Sequence, residues 1–287
     1  MIKNKFITVG IPTYNSSKYL NQCLKSIKNL KNIDEILISD DGSTVSELAK
    51  LKEIVLKYQI KHRLNIKILE STTNFGAYRN KLKLIENSKN EYIYVLDSDN
   101  MASKSLDDII NEILNENNPK FLYQPNVMYH FWKYPRLAQL MSPYNKKYIV
   151  KFFDSNYILD RDSVKALLID NSGTYNLKDY GNQLPSFKDP EKKIIDKWIF
   201  WILNCGNFIV NKKHMVDIAQ AGLEFDRKIL SVDAIAFSYL WIEKGMKIKI
   251  FNNFYHHHRK RNDSVSFTES EDSVNAIKHF IGKVLDF

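Results

Sequence analysis

Cysteine is nearly absent from this sequence: Cys23 and Cys205 stand far apart, and neither has a C-x-x-C neighbour. That pattern indicates neither a disulfide framework nor a zinc site, and it points to a reducing compartment. Glycine is scarce, 9 residues in 287, and no glycine-rich phosphate loop stands near the N-terminus. No apolar run reaches the length needed to cross a bilayer. The best candidate, Trp198 to Val210, is broken by Asn204, Gly206 and Asn207. The opening residues Met1-Ile2-Lys3-Asn4-Lys5 lead straight into a strand and carry no signal-peptide core. Together these absences predict a soluble cytoplasmic protein.

What is present is ordinary globular composition, 44% hydrophobic and 13% aromatic, with 16 Tyr and 16 Phe. The net charge of +9 admits three partners: nucleic acid, an anionic membrane surface, or a phosphorylated small substrate. Lysines are spread along the chain, and the one dense basic cluster is His256-His257-His258-Arg259-Lys260-Arg261. No zinc-finger spacing, RNP aromatic pair or helix-turn-helix accompanies it, so nucleic acid is not the expected partner.

The chain alternates strand and helix at intervals of roughly thirty residues, the mark of βαβ units and a parallel sheet. Phe6 to Ile11 is a first strand ending at Pro12, and Ser16 or Ser17 caps a helix with Leu20, Leu24 and Ile27 inside. Ile36-Leu37-Ile38 and Leu64 to Leu69 read as the next strands. Tyr92-Ile93-Tyr94-Val95-Leu96 is a continuous apolar strand, of the kind buried on both faces. It runs into Asp97-Ser98-Asp99-Asn100. Carboxylates two apart in extended chain point the same way, and a hard divalent cation is the usual answer to their repulsion; the plainer reading is a polar loop whose aspartates cap backbone groups. The polar clusters at 13–17, 39–43, 73–80 and 97–100 all fall at carboxyl ends of strands, where such sheets bind ligands.

Four of these stretches, Ile11-Pro12-Thr13-Tyr14-Asn15, Ile38-Ser39-Asp40-Asp41-Gly42-Ser43, Gly76-Ala77-x-Arg79-Asn80 and Leu96-Asp97-Ser98-Asp99-Asn100, resemble the ordered motifs of family 2 glycosyltransferases. They cover about the first hundred residues. The resemblance implies an α/β GT-A fold: a Rossmann-like, mostly parallel central sheet flanked by helices, with a C-terminal helical extension. It implies a nucleotide-diphosphate sugar as donor. Pro12 and Tyr14 would border the nucleobase, and Asp41 would accept its imide N–H, which favours uracil (or thymine) over cytosine, with a UDP-sugar as the expected donor. Arg79 would lie near the donor phosphates or sugar, with Asn15 and Ser98 on the same donor side. Asp97 and Asp99 would hold ribose and a Mn²⁺ or Mg²⁺ ion. Asp40 reads more simply as the cap of the following helix.

Further on, Ser105 opens a helix in a capping-box-like pattern and Phe121 to Phe131 is a strand. From Trp132 to about Pro190 the pattern is irregular and is expected to form part of the acceptor wall, with Asp154 and Asp160 as surface residues or caps. Asp189-Pro190 starts a helix through Ile202, and Gly206 to Val210 is a short strand. Asp233 opens a helix in a segment resembling the family's Glu-Asp pair, although Val232 holds the glutamate position. On that resemblance Asp233 is the general base that deprotonates the acceptor hydroxyl; its plainer role is a negative charge at a helix N-terminus. After a strand at Lys247 to Phe251, Tyr255 to Ser266 resembles the loop that closes over the donor diphosphate. In it His256 or His258 would complete the metal site, and Arg259 or Arg261 would meet phosphate.

The expected organisation is a GT-A domain at 1–266, with a donor half at 1–118 and an acceptor half at 119–266. An amphipathic helix at 267–287 would follow, packed on the domain, paired with another subunit or resting on the cytoplasmic face of a membrane. The expected activity is inverting transfer of a sugar to a glycan or lipid-linked saccharide, typical of polysaccharide assembly. Two other classes stay open: a sugar-phosphate nucleotidyltransferase, and a non-catalytic carbohydrate- or nucleic-acid-binding protein on the same scaffold.

Overall fold

A computed structural model describes residues 6–131, 149–169, 203, 205–225, 233–259, 279, 280 and 283. Among these, one ten-stranded sheet organises the chain. Its first half is β1 (Ile7–Thr13), β2 (Ile33–Asp41), β3 (Ile66–Ser71) and β4 (Tyr92–Val95), all parallel, in the spatial order β3-β2-β1-β4. The connections are α1 (Ser17–Ile27), α2 (Val45–His62) and α3 (Ala77–Asn87). β1 runs through Pro12 instead of ending there: Pro12 pairs with Ser39 and Thr13 with Asp40. A proline takes only one N–H out of a ladder, and the residues on either side keep theirs.

Beyond β4 the sheet becomes mixed. The strand β5 (Met101–Ala102) is followed by α4 (Leu106–Glu116), β6 (Phe121–Phe131), β7 (Ile149–Lys151), β8 (Tyr157–Leu159) and α5 (Arg161–Ile169). Then come β9 (Phe208–Asn211), α6 (Lys212–Ala219), a 3₁₀ turn at Gln220–Glu224, α7 (Asp233–Glu243) and β10 (Lys247–Arg259). β9 lies antiparallel between β4 and β6, β10 runs parallel to β6, and β7 and β8 pair antiparallel with β6 and β10. The stretch after residue 148, expected to be irregular, thus holds two short strands and a helix. Asp160 caps that helix, accepting from Ser163 N at 3.0 Å, while Asp154 pairs on the surface with Lys151 at 3.1 Å. The helix expected at 189–202 lies outside the described residues.

The alternation inside β4 explains its unbroken apolar run. Tyr92, Tyr94 and Leu96 pack with α1, α2 and α4 on one face, while Ile93 and Val95 pack with α3, α6 and α7 on the other. Both faces are buried, so neither can be polar. Phe280 from the C-terminal stretch joins the second core, against Phe225 and Tyr239. None of the described helices is long and apolar enough to cross a membrane.

Candidate functional site

The four polar clusters meet at the carboxyl edge of β1, β2, β3 and β4, and each is tied to its neighbours. Asn15 adopts the left-handed conformation at φ 46°, which asparagine tolerates better than most residues. Its backbone N–H donates to Ser43 Oγ at 2.8 Å, and its side chain accepts from Thr44 N at 3.0 Å. Asn15 therefore laces the loop after β1 to the loop after β2. Asp40 accepts from Ser43 N at 3.0 Å and from Thr13 Oγ1 at 3.3 Å, which closes the turn. The cap of α2 is Thr44, which accepts from Glu47 N, and not Asp40 as its place in the sequence suggests.

Asp41 is buried, and its two oxygens accept from Phe75 N at 2.9 Å and Gly76 N at 2.8 Å. It anchors the loop that enters α3, and each oxygen keeps a lone pair for a further donor. That loop crosses directly over Gly42, where φ is +74° and an added Cβ would lie 2.6 Å from the Thr73 carbonyl carbon. Only glycine fits there. Tyr14 is 50% exposed and Phe75 51%, two aromatic rings open to solvent near this edge, and Pro12 is half-buried beside them. Arg79 is an exposed guanidinium in the first turn of α3. Asn80, next to it, is buried and donates to Ser39 O at 3.1 Å.

The centre of the site is a residue that sequence reasoning missed. Lys81 on α3 is 4% exposed in its side chain, and its Nζ lies 2.9 Å from Asp97 Oδ1 and 2.6 Å from Asp233 Oδ2. The carbonyl of Gly206 accepts from the same ammonium at 3.4 Å. Asp97 follows β4, Gly206 precedes β9 and Asp233 is the first residue of α7, so one cation gathers three segments. A signal was there to be read: Tyr78, Lys81, Leu82 and Ile85 have the spacing of one buried helical stripe, and a lysine on such a stripe needs partners.

The electrostatics follow from burial. Burial pushes the Asp233 carboxyl above its ordinary value; the Lys81 charge opposes that shift and the Asp97 charge adds to it. For Lys81 the balance runs the other way, because the Asp233 and Asp97 charges outweigh the burial that disfavours an ammonium. The array is therefore a buried cation between two carboxylates, held in its charged form.

Ser98 is buried, and its hydroxyl bonds Ser16 Oγ at 2.9 Å, closing the Asp97–Asn100 turn onto the start of α1. Asp97 N donates to Asn207 Oδ1 at 2.9 Å, and Asn100 N to Asp97 O at 2.9 Å. Arg259, expected at the donor phosphate, is placed otherwise. It is 8% exposed, its guanidinium lies 4.7 Å over the Tyr19 ring and 4.5 Å over the Phe131 ring, and it also bonds Gln22. Its Nε donates to the Asp99 carbonyl at 3.1 Å and its backbone N to Asn100 Oδ1 at 3.0 Å. A guanidinium stacked between two rings buttresses the turn from behind. Arg261 lies outside the described residues.

The stretch Tyr255–Arg259, expected as a loop, is the end of strand β10. It pairs with β6 on one side, and His256 and His257 pair with β5 on the other. Burial on both sides explains the difference. His256 is 1% exposed, and both ring nitrogens lack a hydrogen-bond partner. Burial pushes its pKa well down, as it does that of His257, to about 4. Among the described residues no group of three or more His, Cys, Asp or Glu is placed to hold a metal ion. Asp97, expected at the metal, pairs with Lys81.

Residues 8–167 match the family model described as glycosyl transferase family 2. A poly(ribitol-phosphate) beta-glucosyltransferase of Bacillus spizizenii is 38% identical over 99 residues, which are 32% of this chain and 14% of that protein. Glycosyltransferase GlyG of Streptococcus pneumoniae is 31% identical over 105 residues, 36% of this chain and 33% of that one. The prophage-derived glycosyltransferase SunS of Bacillus subtilis is 33% identical over 102 residues, 34% and 21% of the two chains. The matched segments amount to no more than a third of these relatives' length. Among solved structures, S. aureus TarS 1-349 in complex with UDP-GlcNAc superposes with a TM-score of 0.59 at 16% identity, over 98% of this chain and 73% of that one. Its complex with UDP gives a TM-score of 0.57 at 16% identity, over 98% and 72%. At this identity the likeness establishes a shared fold.

Proposed function

The chain belongs to glycosyl transferase family 2, and on that premise we propose that it transfers a sugar from a UDP-sugar to a hydroxyl of a glycan or lipid-linked saccharide, with inversion. The observation that carries this reading is the meeting of the donor-side turn at Asp97 with Asp233 through one buried cation. An inverting transfer needs a carboxylate on the acceptor side, opposite the leaving group. The UDP and UDP-GlcNAc complexes of the TarS neighbour support a uridine donor. Two relatives are named for poly(ribitol-phosphate), so a polyol hydroxyl is the first acceptor to assay.

In this reading Tyr14 and Pro12 border the nucleobase and Asp41 meets its imide. Arg79, the exposed cation at the edge, attracts the diphosphate. Asp233 takes the acceptor proton, the hydroxyl oxygen bonds to the anomeric carbon, and the bond to the diphosphate breaks with its electron pair leaving on UDP.

The test is calorimetric titration with UDP, GDP, CDP and dTDP, each with and without Mn²⁺. UDP is expected to bind in preference to the others. The Mn²⁺ arm, repeated on Asp99→Asn, tells whether a cation enters with the donor: a Mn²⁺-dependent gain in the wild type that Asp99→Asn loses would assign it to Asp99. Asp233→Asn should keep UDP binding and lose transfer. No binding of any nucleotide by the folded protein would turn the reading over to a non-catalytic binding protein on this scaffold.

A further inference from the structure

Lys81 follows the Arg79-Asn80 pair, yet no role comes to it from the resemblance. Its ammonium has three N–H donors and three oxygen neighbours: Asp97 Oδ1 at 2.9 Å, Asp233 Oδ2 at 2.6 Å and the Gly206 carbonyl at 3.4 Å. Enclosed by these three oxygens and with 4% of its side chain exposed, it has little to offer a substrate directly. Its position on α3 is fixed independently. Tyr78, three residues earlier, stacks on Phe237 of α7 at 4.4 Å and donates to Ala219 O at 2.8 Å. Gly206 is fitted to the same array, since a Cβ there would run into Asp97 Oδ2 and come within 3.2 Å of Lys81 Nζ.

We propose that Lys81 is a positioning residue for the transfer reaction, holding the donor-side Asp97 and the acceptor-side Asp233 in one ionic array. The inference rests on the glycosyl-transfer reading above, because it takes Asp97 to face the donor and Asp233 to be the base. The physical argument is that two carboxylates from different segments repel at this separation unless a cation stands between them. The spacing between donor and base is then set by one side chain on a rigid helix. A change at Asp97 on donor binding has to be felt at Lys81, and through it at Asp233.

The experiment reads the Lys81 ammonium directly. A buried lysine with three acceptors gives its own ¹⁵Nζ signal, identified by its loss in Lys81→Arg and its displacement in Asp233→Asn. The wild-type chain is then titrated with UDP in the presence of Mg²⁺, with calorimetry in parallel. The inference expects the Lys81 signal to move as UDP saturates. It also expects Lys81→Met to lose about tenfold or more in UDP affinity while Lys81→Arg stays within about threefold of the wild type, tenfold being about 1.4 kcal/mol. If Lys81→Met does not fold, the wild-type titration still decides. UDP that binds without moving the Lys81 signal overturns this inference and leaves the family reading intact. No UDP binding to the wild type overturns the donor reading, and this inference falls with it.

Discussion

As the proposed base, Asp233 must be ionised to accept a proton, and its surroundings pull on it in both directions. Burial and the Asp97 charge raise its pKa from the ordinary 3.8, and Lys81 restrains the rise. Below that raised pKa the group is neutral and cannot act as a base. The acid limb of kcat/KM for sugar transfer should therefore lie above the ordinary carboxylate range, and a limb at the ordinary value would argue against Asp233. Stability moves the other way. A carboxyl with a raised folded-state pKa holds its proton better folded than unfolded, so its own contribution falls as pH rises through that range. Replacing Lys81 with Met leaves two largely buried carboxylates without a counter-charge, a change that typically costs about 3–5 kcal/mol; urea unfolding checks this. The double variant Lys81→Met with Asp233→Asn should recover part of the loss. Most of these residues were legible in the sequence, since Asp41, Arg79, Asp97 and Asp233 sit in ordered stretches with recognisable chemistry. For Lys81 the helical spacing signals only that it is buried and needs partners; its place as the array's centre depends on where α7 and the 205–207 segment arrive from more than a hundred residues away.

The element that departed furthest from its sequence reading is β10. In sequence Tyr255-His256-His257-His258-Arg259 resembles part of a loop that closes over a donor diphosphate, yet pairing with β6 and β5 makes it sheet interior. Periodicity could not reveal this, since the strand's neighbours come from residues 101–102 and 121–131. The consequence is a pH dependence opposite to that of Asp233. His257 sits among the rings of Tyr129, Phe131 and Tyr255 with its Nδ1 unpartnered, and its pKa is pushed from 6.5 to about 4. A histidine with a depressed folded-state pKa contributes stability that is present above 6.5 and is lost as pH falls toward 4. His257→Phe should raise stability at neutral pH by about 1 kcal/mol, since it removes a buried unsatisfied polar group from an aromatic nest. It should also flatten the fall in urea midpoint on acidification. A variant that is less stable than wild type at neutral pH would mean the imidazole has a partner that matters. The same strand explains why Arg259 is a buttress: its backbone is already fixed in the ladder where it reaches Asp99.

At the scale of the molecule, the described residues before and after position 118 share their cores. Ile93 and Val95 of β4 pack in one cluster with Phe208, Phe237, Trp241 and Ile248 from beyond residue 200, and Phe280 closes that cluster from the C-terminal stretch. β9 is what makes this sharing possible, because it inserts antiparallel between β4 and β6 and joins the parallel half of the sheet to the mixed half. The parallel half could be read in sequence from local alternation of strand and helix. The mixed half could not, since its pairings are long-range and carry no spacing rule. A single cooperative unfolding transition is the expected behaviour of such a molecule. Phe280 gives the sharpest test of how far that unit extends. It is 1% exposed, and its ring meets Tyr239 at 5.2 Å and Phe225 at 5.7 Å. Truncating a buried phenylalanine to alanine costs about 3–5 kcal/mol, and a chain of this size loses roughly 2–4 °C in Tm per kcal/mol. Phe280→Ala should therefore lower the melting temperature by on the order of 10 °C while keeping one transition, read by calorimetry. A Phe280→Ala protein that melts with the wild type would make the C-terminal stretch an appendage. A lowered single transition makes it part of the wall that holds α7, and with α7 the position of Asp233.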